Sequence, residues 1–370
     1  MSKPIGILQR RGAAVSATLA VLFVVCWSSG FVGAKLGAQD ADVRTVLMWR
    51  LLPLAAVLIP VTLLRRRRTA RREGSAGTAR RGELLRQAGI GALSQSGYLL
   101  TVYWAIGLGV STGTTALIDG VQPLVVAALA GPLLGAAVSG RQWAGLLVGL
   151  AGVLAVTWAD ATSPRTDAPP WAYAIPFAGM LCLVAATFLE RRARSRPRPL
   201  HNLTIHCTTS AVVFTAVAVL GGAATVPDRA SFWIATAWLV VFPTFGGYGL
   251  YWLLMDRVGV TTVNSLMFLV PPVTTAWGAA MFGEPVTALT VAGLALALVA
   301  TWLVSGRDPD RARQRREDVR GGDRTAGLAG AGEDRRHLAR VSLAATRVAE
   351  LRNERPSPAA RAGRPGRAGR

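Results

Sequence analysis

The sequence predicts an all-α membrane protein of about ten transmembrane helices, built as two inverted five-helix repeats and followed by a disordered C-terminal tail. First, apolar stretches of about 20 residues, the length that a helix needs to cross a bilayer, recur from residue 13 to residue 304. Second, arginine clusters occupy alternate connections between these stretches. Third, prolines and glycines of the first half recur in the second half at a fixed offset. The composition agrees, because 51% of the residues are hydrophobic and the mean hydropathy is +0.38.

Ten spans follow when the apolar stretches are taken in chain order. They cover about residues 13–34, 45–64, 88–106, 112–136, 142–159, 171–190, 200–221, 232–254, 260–282 and 287–305. A signal peptide accounts for one such stretch but not for a series of them. The predicted domains are therefore a cytoplasmic N-terminus at 1–12, a first five-helix repeat at 13–159 and a second at 160–305.

The connections between the spans predict their orientation. Arginine runs at 65–68 and within 191–198 follow the second and sixth spans, and single arginines follow the fourth and eighth spans. The other connections hold fewer basic residues, and each of these lies near an acid such as Asp160 or Asp228. Because basic loops stay on the cytoplasmic side, we expect a multi-pass protein of the cell membrane with both termini in the cytoplasm.

Residues 306–370 differ from the rest in composition, since they are rich in Arg, Gly, Ala and Asp and poor in large apolar side chains. Such a segment cannot bury a core, so we expect a basic, disordered cytoplasmic tail. The net charge of +21 and the pI near 11.5 also suggest a nucleic-acid ligand. Most of the arginines lie in short loops or in this tail, however, so we expect anionic lipid as a partner and no nucleic acid.

Motifs for enzymatic or metal chemistry are missing from the sequence. Cys26, Cys182 and Cys207 lie far apart in apolar stretches, which fits neither a disulfide framework nor a zinc site. The sequence contains no G-x-x-x-x-G-K-[ST] or H-E-x-x-H motif. We therefore expect no cofactor, no metal site and no enzymatic activity.

The fourth and fifth spans are similar to the ninth and tenth when the sequence is shifted by 148 residues without a gap. Pro123 then superposes on Pro271, and Gly145 on Gly293. Two repeats of five helices cross the membrane in opposite directions, as in many transporters with a site near the midplane. Because proline removes an amide donor and kinks a helix, Pro123 and Pro271 are predicted to shape a cavity that opens alternately to each side.

Several segments together resemble the drug/metabolite transporter superfamily, in its ten-helix EamA-type branch. They are WSSGF at 27–31, Arg50 within MWRLLP, TTALIDGVQPLVVAALAGPLLG in the fourth span and PPVTTAWGAAMFGEP in the ninth. The resemblance covers residues 13–305 and implies two five-helix bundles around a central substrate path. It also implies export of amino acids, other metabolites or toxic compounds. Where Asp119 stands, the resembling proteins more often carry a small or hydroxyl residue.

Two charged residues lie inside predicted spans. Asp119 lies deep in the fourth span, where a carboxylate is costly and faces a bundle interior or a water cavity. It is a candidate for the site that binds the coupling ion or the charged group of the substrate. The alternative is a structural role, in a hydrogen bond or in an ion pair with Arg50. Arg50, in the second span, either binds a substrate carboxylate or reaches the interface and fixes another helix. The structural role is favoured for Arg50.

The remaining candidates for the substrate or ion path are uncharged side chains inside the spans: Trp27, Tyr98, Tyr251, Gln95, Gln122 and Asn264. The aromatic rings can stack on a ligand, although helix packing is favoured for each. The amides either bind substrate or join one helix to another. Tyr103 and Trp104, near the end of a span, are predicted to lie at the membrane interface.

These features predict a secondary transporter that exports small amino-acid-like metabolites or drugs by alternating access, with proton coupling through Asp119. The alternatives are a membrane-embedded enzyme acting on lipid-linked substrates and a non-transporting membrane sensor. Such enzymes usually group acids and histidines at one membrane face, whereas here polar residues are scattered at mid-depth. Gly145 and Gly149 form a G-x-x-x-G pattern, which either drives dimers or packs within one chain, so monomer and homodimer both stay open.

Overall fold

The computed structural model describes residues 4–73, 81–134, 139–192 and 199–305. The α-helices in these ranges are α1 (Pro4–Asp40), α2 (Val43–Glu73), α3 (Arg81–Gly91), α4 (Tyr98–Gly107), α5 (Thr112–Gly120), α6 (Gln122–Leu134), α7 (Gly140–Ala161), α8 (Ala174–Arg191), α9 (Pro199–Leu220), α10 (Ala230–Leu239), α11 (Tyr248–Met267), α12 (Val270–Phe282) and α13 (Ala288–Ser305). The predicted tail at 306–370 lies outside the described residues.

Three short segments connect some of these helices. A π-helical segment at Ala92–Gly97 joins α3 to α4, and another at Val240–Gly247 joins α10 to α11. A 3-10 turn at Pro170–Tyr173 precedes α8. Within α11, Gly259 has a φ of 82°, which only glycine adopts without strain, and the helix bends there. The eighth span therefore ends at Gly259 and the ninth begins after it.

Ten membrane spans account for the described helices. Eight stretches are long and apolar enough to cross a bilayer, and Ala288–Val304 is a shorter apolar helix. The remaining stretch is the third span in chain order, which runs continuously from α3 through the π segment to α4. It is more polar than the others because it contains Gln87, Gln95 and Ser96. Large side chains such as Trp158 and Trp302 are exposed on the outside of the bundle, as expected where lipid is the solvent. The predicted all-α membrane fold is thus confirmed.

The backbone irregularities repeat between the two halves. The two π segments begin 148 residues apart, at Ala92 and Val240. The fourth span breaks at Val121, with φ −83° and ψ −6°, and the ninth breaks 148 residues later at Leu269, with φ −82° and ψ −12°. The offset found in the sequence therefore relates equivalent positions of the two repeats.

Helix packing follows the same symmetry. The second span packs on the seventh (α2 on α9), the fourth on the ninth (α5 on α12) and the fifth on the tenth (α7 on α13), so each meets its own counterpart. The contact of the third span with the sixth (α4 on α8) is matched by that of the eighth with the first (α11 on α1). Such a pattern requires two halves related by a pseudo-two-fold axis, which is the inverted-repeat arrangement.

Buried apolar side chains hold the bundle together. A large cluster around Phe23 and Phe214 lies between spans of both halves, and a smaller one around Ile118 and Val153 lies beside α5 and α7. Gly145 and Gly149 face α13, where an added Cβ at either position would meet Ala300 within the same chain. The G-x-x-x-G pattern therefore serves close packing inside the chain, and its role in a dimer stays untested.

Candidate functional site

Arg50 is a buried cation at the centre of the bundle. Its side chain extends from α2, and the residue is 7% exposed. One guanidinium nitrogen donates to the Tyr103 hydroxyl on α4, and Nη2 donates to Thr244 Oγ1 in the second π segment at 3.4 Å. Within the described part of the chain, Arg50 has no carboxylate within ion-pair distance. A buried charge without a counter-ion is costly, so an arriving anion would be bound favourably here.

Asp119 carries a partly buried carboxylate near the end of α5. Its Oδ2 accepts a hydrogen bond of 2.9 Å from the Tyr98 hydroxyl on α4. Its Oδ1 is buried and has no hydrogen-bond partner. The alternative of an Asp119–Arg50 ion pair is not found, because the two side chains bond to different residues. An unpartnered carboxylate oxygen is stabilised by a proton or by a cationic ligand.

Three tyrosines lie near these two charged residues. Tyr98 and Tyr103 both lie on α4, and the first donates to Asp119 while the second accepts from Arg50. Tyr248, at the start of α11, lies near Tyr98 and Arg50. Tyr103 is buried rather than at the membrane interface, so the prediction that it is an interface residue is wrong. Its position on the inner face of a helix beside a π segment is not visible in the residue pattern.

Gln95 lies beside the same tyrosines. Its amide lies near Tyr248 and near Cys207 on α9, while its Oε1 is buried without a partner. Gln95 belongs to the first π segment, and π segments often mark functional sites because the widened turn frees backbone groups. We therefore group Arg50, Tyr103, Gln95, Tyr98 and Asp119, together with Tyr248, as the central polar cluster.

Trp27 and Tyr251 adjoin the central polar cluster on one side. The Trp27 ring lies 5.5 Å from the Tyr248 ring in an edge-on arrangement and 6.4 Å from the Tyr251 ring. Phe23 completes the aromatic group at 5.6 Å from Trp27. These rings form an apolar wall next to the polar groups. Trp104, in contrast, is 48% exposed and stands near Trp171, which suits an interface residue.

Two of the predicted amides do not join the central polar cluster. Gln122 Nε2 donates to Thr187 Oγ1 at 3.1 Å and so connects α6 to α8. Asn264 is exposed on the ninth span. The amide of Gln122 thus has the helix-joining role, and Asn264 lies away from the buried centre.

Pro123 and Pro271 lie two residues after the two helix breaks. Each stands in the first turn of the new helix, where proline is favoured because that turn leaves its amides free. A Cβ on Gly120 would lie 3.0 Å from Pro271 Cγ, so the two breaks pack against each other. Ser28 on α1 donates to the Val270 carbonyl at 3.4 Å, directly after the second break.

Glu284 is a buried acid that sequence reasoning missed. It lies near the end of a span, where access to water is expected, but the residue is 7% exposed and bonds to α5 and to Lys35. The Gly283-Glu284-Pro285 corner was visible in the sequence only as part of the family resemblance. Among the described residues, no group of three or more His, Cys, Asp or Glu is placed to hold a metal ion.

Two like five-helix halves around a buried polar centre are the architecture of a membrane transporter. Residues 15–158 and 170–306 match the EamA-like transporter family. The chain belongs to that family, which confirms the resemblance seen in its motifs.

Two relatives are similar to the chain in sequence, and a solved structure is similar to it in fold. The chain is 25% identical over 305 residues to a protein of Streptantibioticus cattleyicolor named as a probable terminal-alkyne amino-acid exporter, covering 80% of this chain and 94% of that protein. It is 25% identical over 202 residues to a chloroplastic WAT1-related protein of Arabidopsis thaliana, covering 53% of this chain and 48% of that protein. A crystal structure with 18% identity has the same fold at a TM-score of 0.53, covering 78% of this chain and 98% of that chain.

Proposed function

We propose that this protein is a secondary transporter that exports small amino-acid-like metabolites by alternating access and catalyses no chemical reaction. The observation that carries the proposal is a buried cation, Arg50, and a partly buried carboxylate, Asp119, which lie in one bundle and have no charged partner among the described residues. Opposite charges left unpaired in this way are complementary to a zwitterion. The family and the exporter name of one relative support the same substrate class.

Each charged residue has a distinct role in the proposal. Arg50 binds the substrate carboxylate, since guanidinium and carboxylate groups match in planar geometry. Asp119 binds either the substrate ammonium group or a proton at its unpartnered Oδ1. A proton and a cation then compete for one carboxylate, and this competition couples the movement of one to the release of the other. Trp27 and Tyr251 contact the apolar part of the substrate.

The repeated backbone provides the movement. The first five spans, which end with α7, and the last five, which begin with α8, rock against each other, and the breaks at Val121 and Leu269 lie where the fourth and ninth spans must bend. We place the protein in the cell membrane with both termini in the cytoplasm, because the basic connections lie on that side. The direction of transport in the proposal is outward.

Counterflow in proteoliposomes tests this function. Vesicles are loaded with an unlabelled amino acid, and uptake of the same labelled amino acid is followed. The same amino acid as its methyl ester and as its N-acetyl derivative serve as competitors, each lacking one of the two charges. We expect both to compete at least about tenfold more weakly than the zwitterion. Equal competition by all three, or no counterflow with any amino acid, would contradict the proposal.

A further inference from the structure

A buried acid, Glu284, forms an ion pair with the partly exposed Lys35 at one end of the bundle. Lys35, in the last turns of α1, lies 2.7 Å from Glu284 Oε1, and the Glu284 side chain is 5% exposed. The same carboxylate accepts the first amide of α5, since Thr112 N lies 2.9 Å from Oε1 and 3.1 Å from Oε2. The Thr112 hydroxyl donates to Oε2 at 2.7 Å. Glu284 therefore neutralises both a lysine and the positive end of a helix.

Ser111, which directly precedes Thr112, bonds to a different acid, Asp160. Ser111 donates from its amide to Asp160 Oδ2 at 3.1 Å and from its hydroxyl to Oδ1 at 2.6 Å. Asp160 lies in α7, the helix of the fifth span, and so belongs with Ser111 to the first five spans, whereas Glu284 follows the ninth span and belongs to the last five. When the two halves move relative to each other, the Asp160 bonds persist, but the bonds of Glu284 to Thr112 and Lys35 must break.

Small residues bring the two halves together at this end. A Cβ on Gly113 would overlap Thr275, and a Cβ on Gly278 would overlap Glu284. These contacts place α5 directly on α12. Beyond the helix breaks, α6 makes no comparably extensive contact with α11 or α12 among the described residues. Among the described residues, the fourth and ninth spans are thus closely packed at the Glu284 end and not beyond their breaks.

We infer that Glu284 and Lys35 form the latch that keeps this end of the transporter closed. The inference rests on the proposed alternating access. In the closed state, Glu284 satisfies Lys35 and the α5 amides in a buried setting, where charge-assisted hydrogen bonds are strong. Opening must release all of these bonds together. Glu284 is therefore the group whose release permits the fourth and ninth spans to separate.

Labelling of a cysteine inside the closed contact tests the latch. Thr275→Cys is introduced into a chain whose Cys26, Cys182 and Cys207 are replaced by alanine. An impermeant thiol reagent is applied from the face at which Ala161→Cys reacts, since Ala161 adjoins Asp160 at this end. We expect Glu284→Gln and Lys35→Gln each to accelerate labelling about tenfold, because the closed state loses a charged partner.

The matched control is Asp42→Asn. Asp42 is an exposed acid close in sequence to Lys35, and hydrogen bonds from Arg44 lower its pKa, so it is charged at neutral pH and outside the latch. It should leave the labelling rate unchanged. Unchanged rates in both latch variants, or equal acceleration by Asp42→Asn, would overturn the latch.

Two further comparisons distinguish an effect on the latch from a folding defect and from a failure of the proposed transport function. If Glu284→Gln fails to fold because α5 loses its cap, Lys35→Gln decides, since it retains the Glu284 bonds to Thr112. Counterflow by the Thr275→Cys parent is measured in the same preparation. That measurement decides the proposed function, whereas the ratio of labelling rates decides the latch.

Discussion

The two halves of the chain share their backbone and differ in their charges. The π segments and the helix breaks recur 148 residues apart, and the helices pack with two-fold symmetry. Asp119, however, corresponds to Met267, and Tyr103, which accepts from Arg50, corresponds to Tyr251 in an aromatic group. The repeated part of the structure is thus the part that moves in our proposal, and the unrepeated part is the part that binds.

A second contrast separates Asp160 from Glu284. Both carboxylates hold the start of α5, but Asp160 acts within one half and Glu284 acts between halves. A bond within a half contributes equally to every conformation, so its loss lowers stability. A bond between halves contributes to one conformation only, so its loss shifts a population. The predictions below use these two contrasts.

The largest effect is expected from Asp119→Asn. The change keeps the side-chain volume and the bond from Tyr98, but it removes the charge that competes for a proton. Proton-driven transport should fall at least about a hundredfold, while counterflow of substrate is retained in part. Asp256→Asn, at an exposed position on the eighth span, is the control and should transport normally. Full pH-dependent transport by Asp119→Asn would refute its coupling role.

Replacement of Arg50 should weaken substrate binding more than it disturbs the fold. Arg50→Gln keeps a hydrogen-bond donor for the Tyr103 hydroxyl. It loses the positive charge and the planar guanidinium group that can donate two parallel hydrogen bonds to a carboxylate. We expect the half-saturating substrate concentration in counterflow to rise about tenfold or more. Arg229→Gln removes a cation that is largely exposed and serves as the control. An unchanged substrate affinity with reduced thermal stability would show that Arg50 only joins helices.

Asp160→Asn should reduce stability without changing which end is open. An amide nitrogen cannot accept from Ser111 N, so a buried donor loses its partner, at a cost of about 1–3 kcal/mol. The melting temperature in detergent should therefore fall, while labelling of Thr275→Cys in the folded fraction stays at the parent rate. Faster labelling without loss of stability would place Asp160 in the latch with Glu284.

The backbone of this protein was more predictable than its site. Span lengths follow from the thickness of the bilayer. The 148-residue offset was visible in the sequence because proline and glycine determine the backbone conformation at their own positions. The partners of Arg50 were not predictable, because Tyr103 and Thr244 lie 53 and 194 residues away. The same reason hid the bonds of Glu284 to Thr112 and Lys35. Contacts between halves depend on helix rotation, which apolar spans with little periodicity do not reveal.

The smallest effect is expected from the paired prolines. Pro123 and Pro271 each start a helix after a break, so alanine lets the preceding helix continue and stiffens that span. The fourth and ninth spans cross the membrane in opposite directions, and stiffening them should favour opposite open ends. Labelling of Thr275→Cys relative to Asn264→Cys should then shift about threefold, upward in one variant and downward in the other.

A proline outside the breaks provides the control for this last comparison. Pro60 lies inside α2, which has no break, and it is exposed on the surface of the bundle. Pro60→Ala should leave the labelling ratio where it is, since the helix is already continuous there. Shifts of the same sign in Pro123→Ala and Pro271→Ala would mean that the two breaks act together as one hinge. The symmetry of the backbone would then not extend to the movement of the two ends.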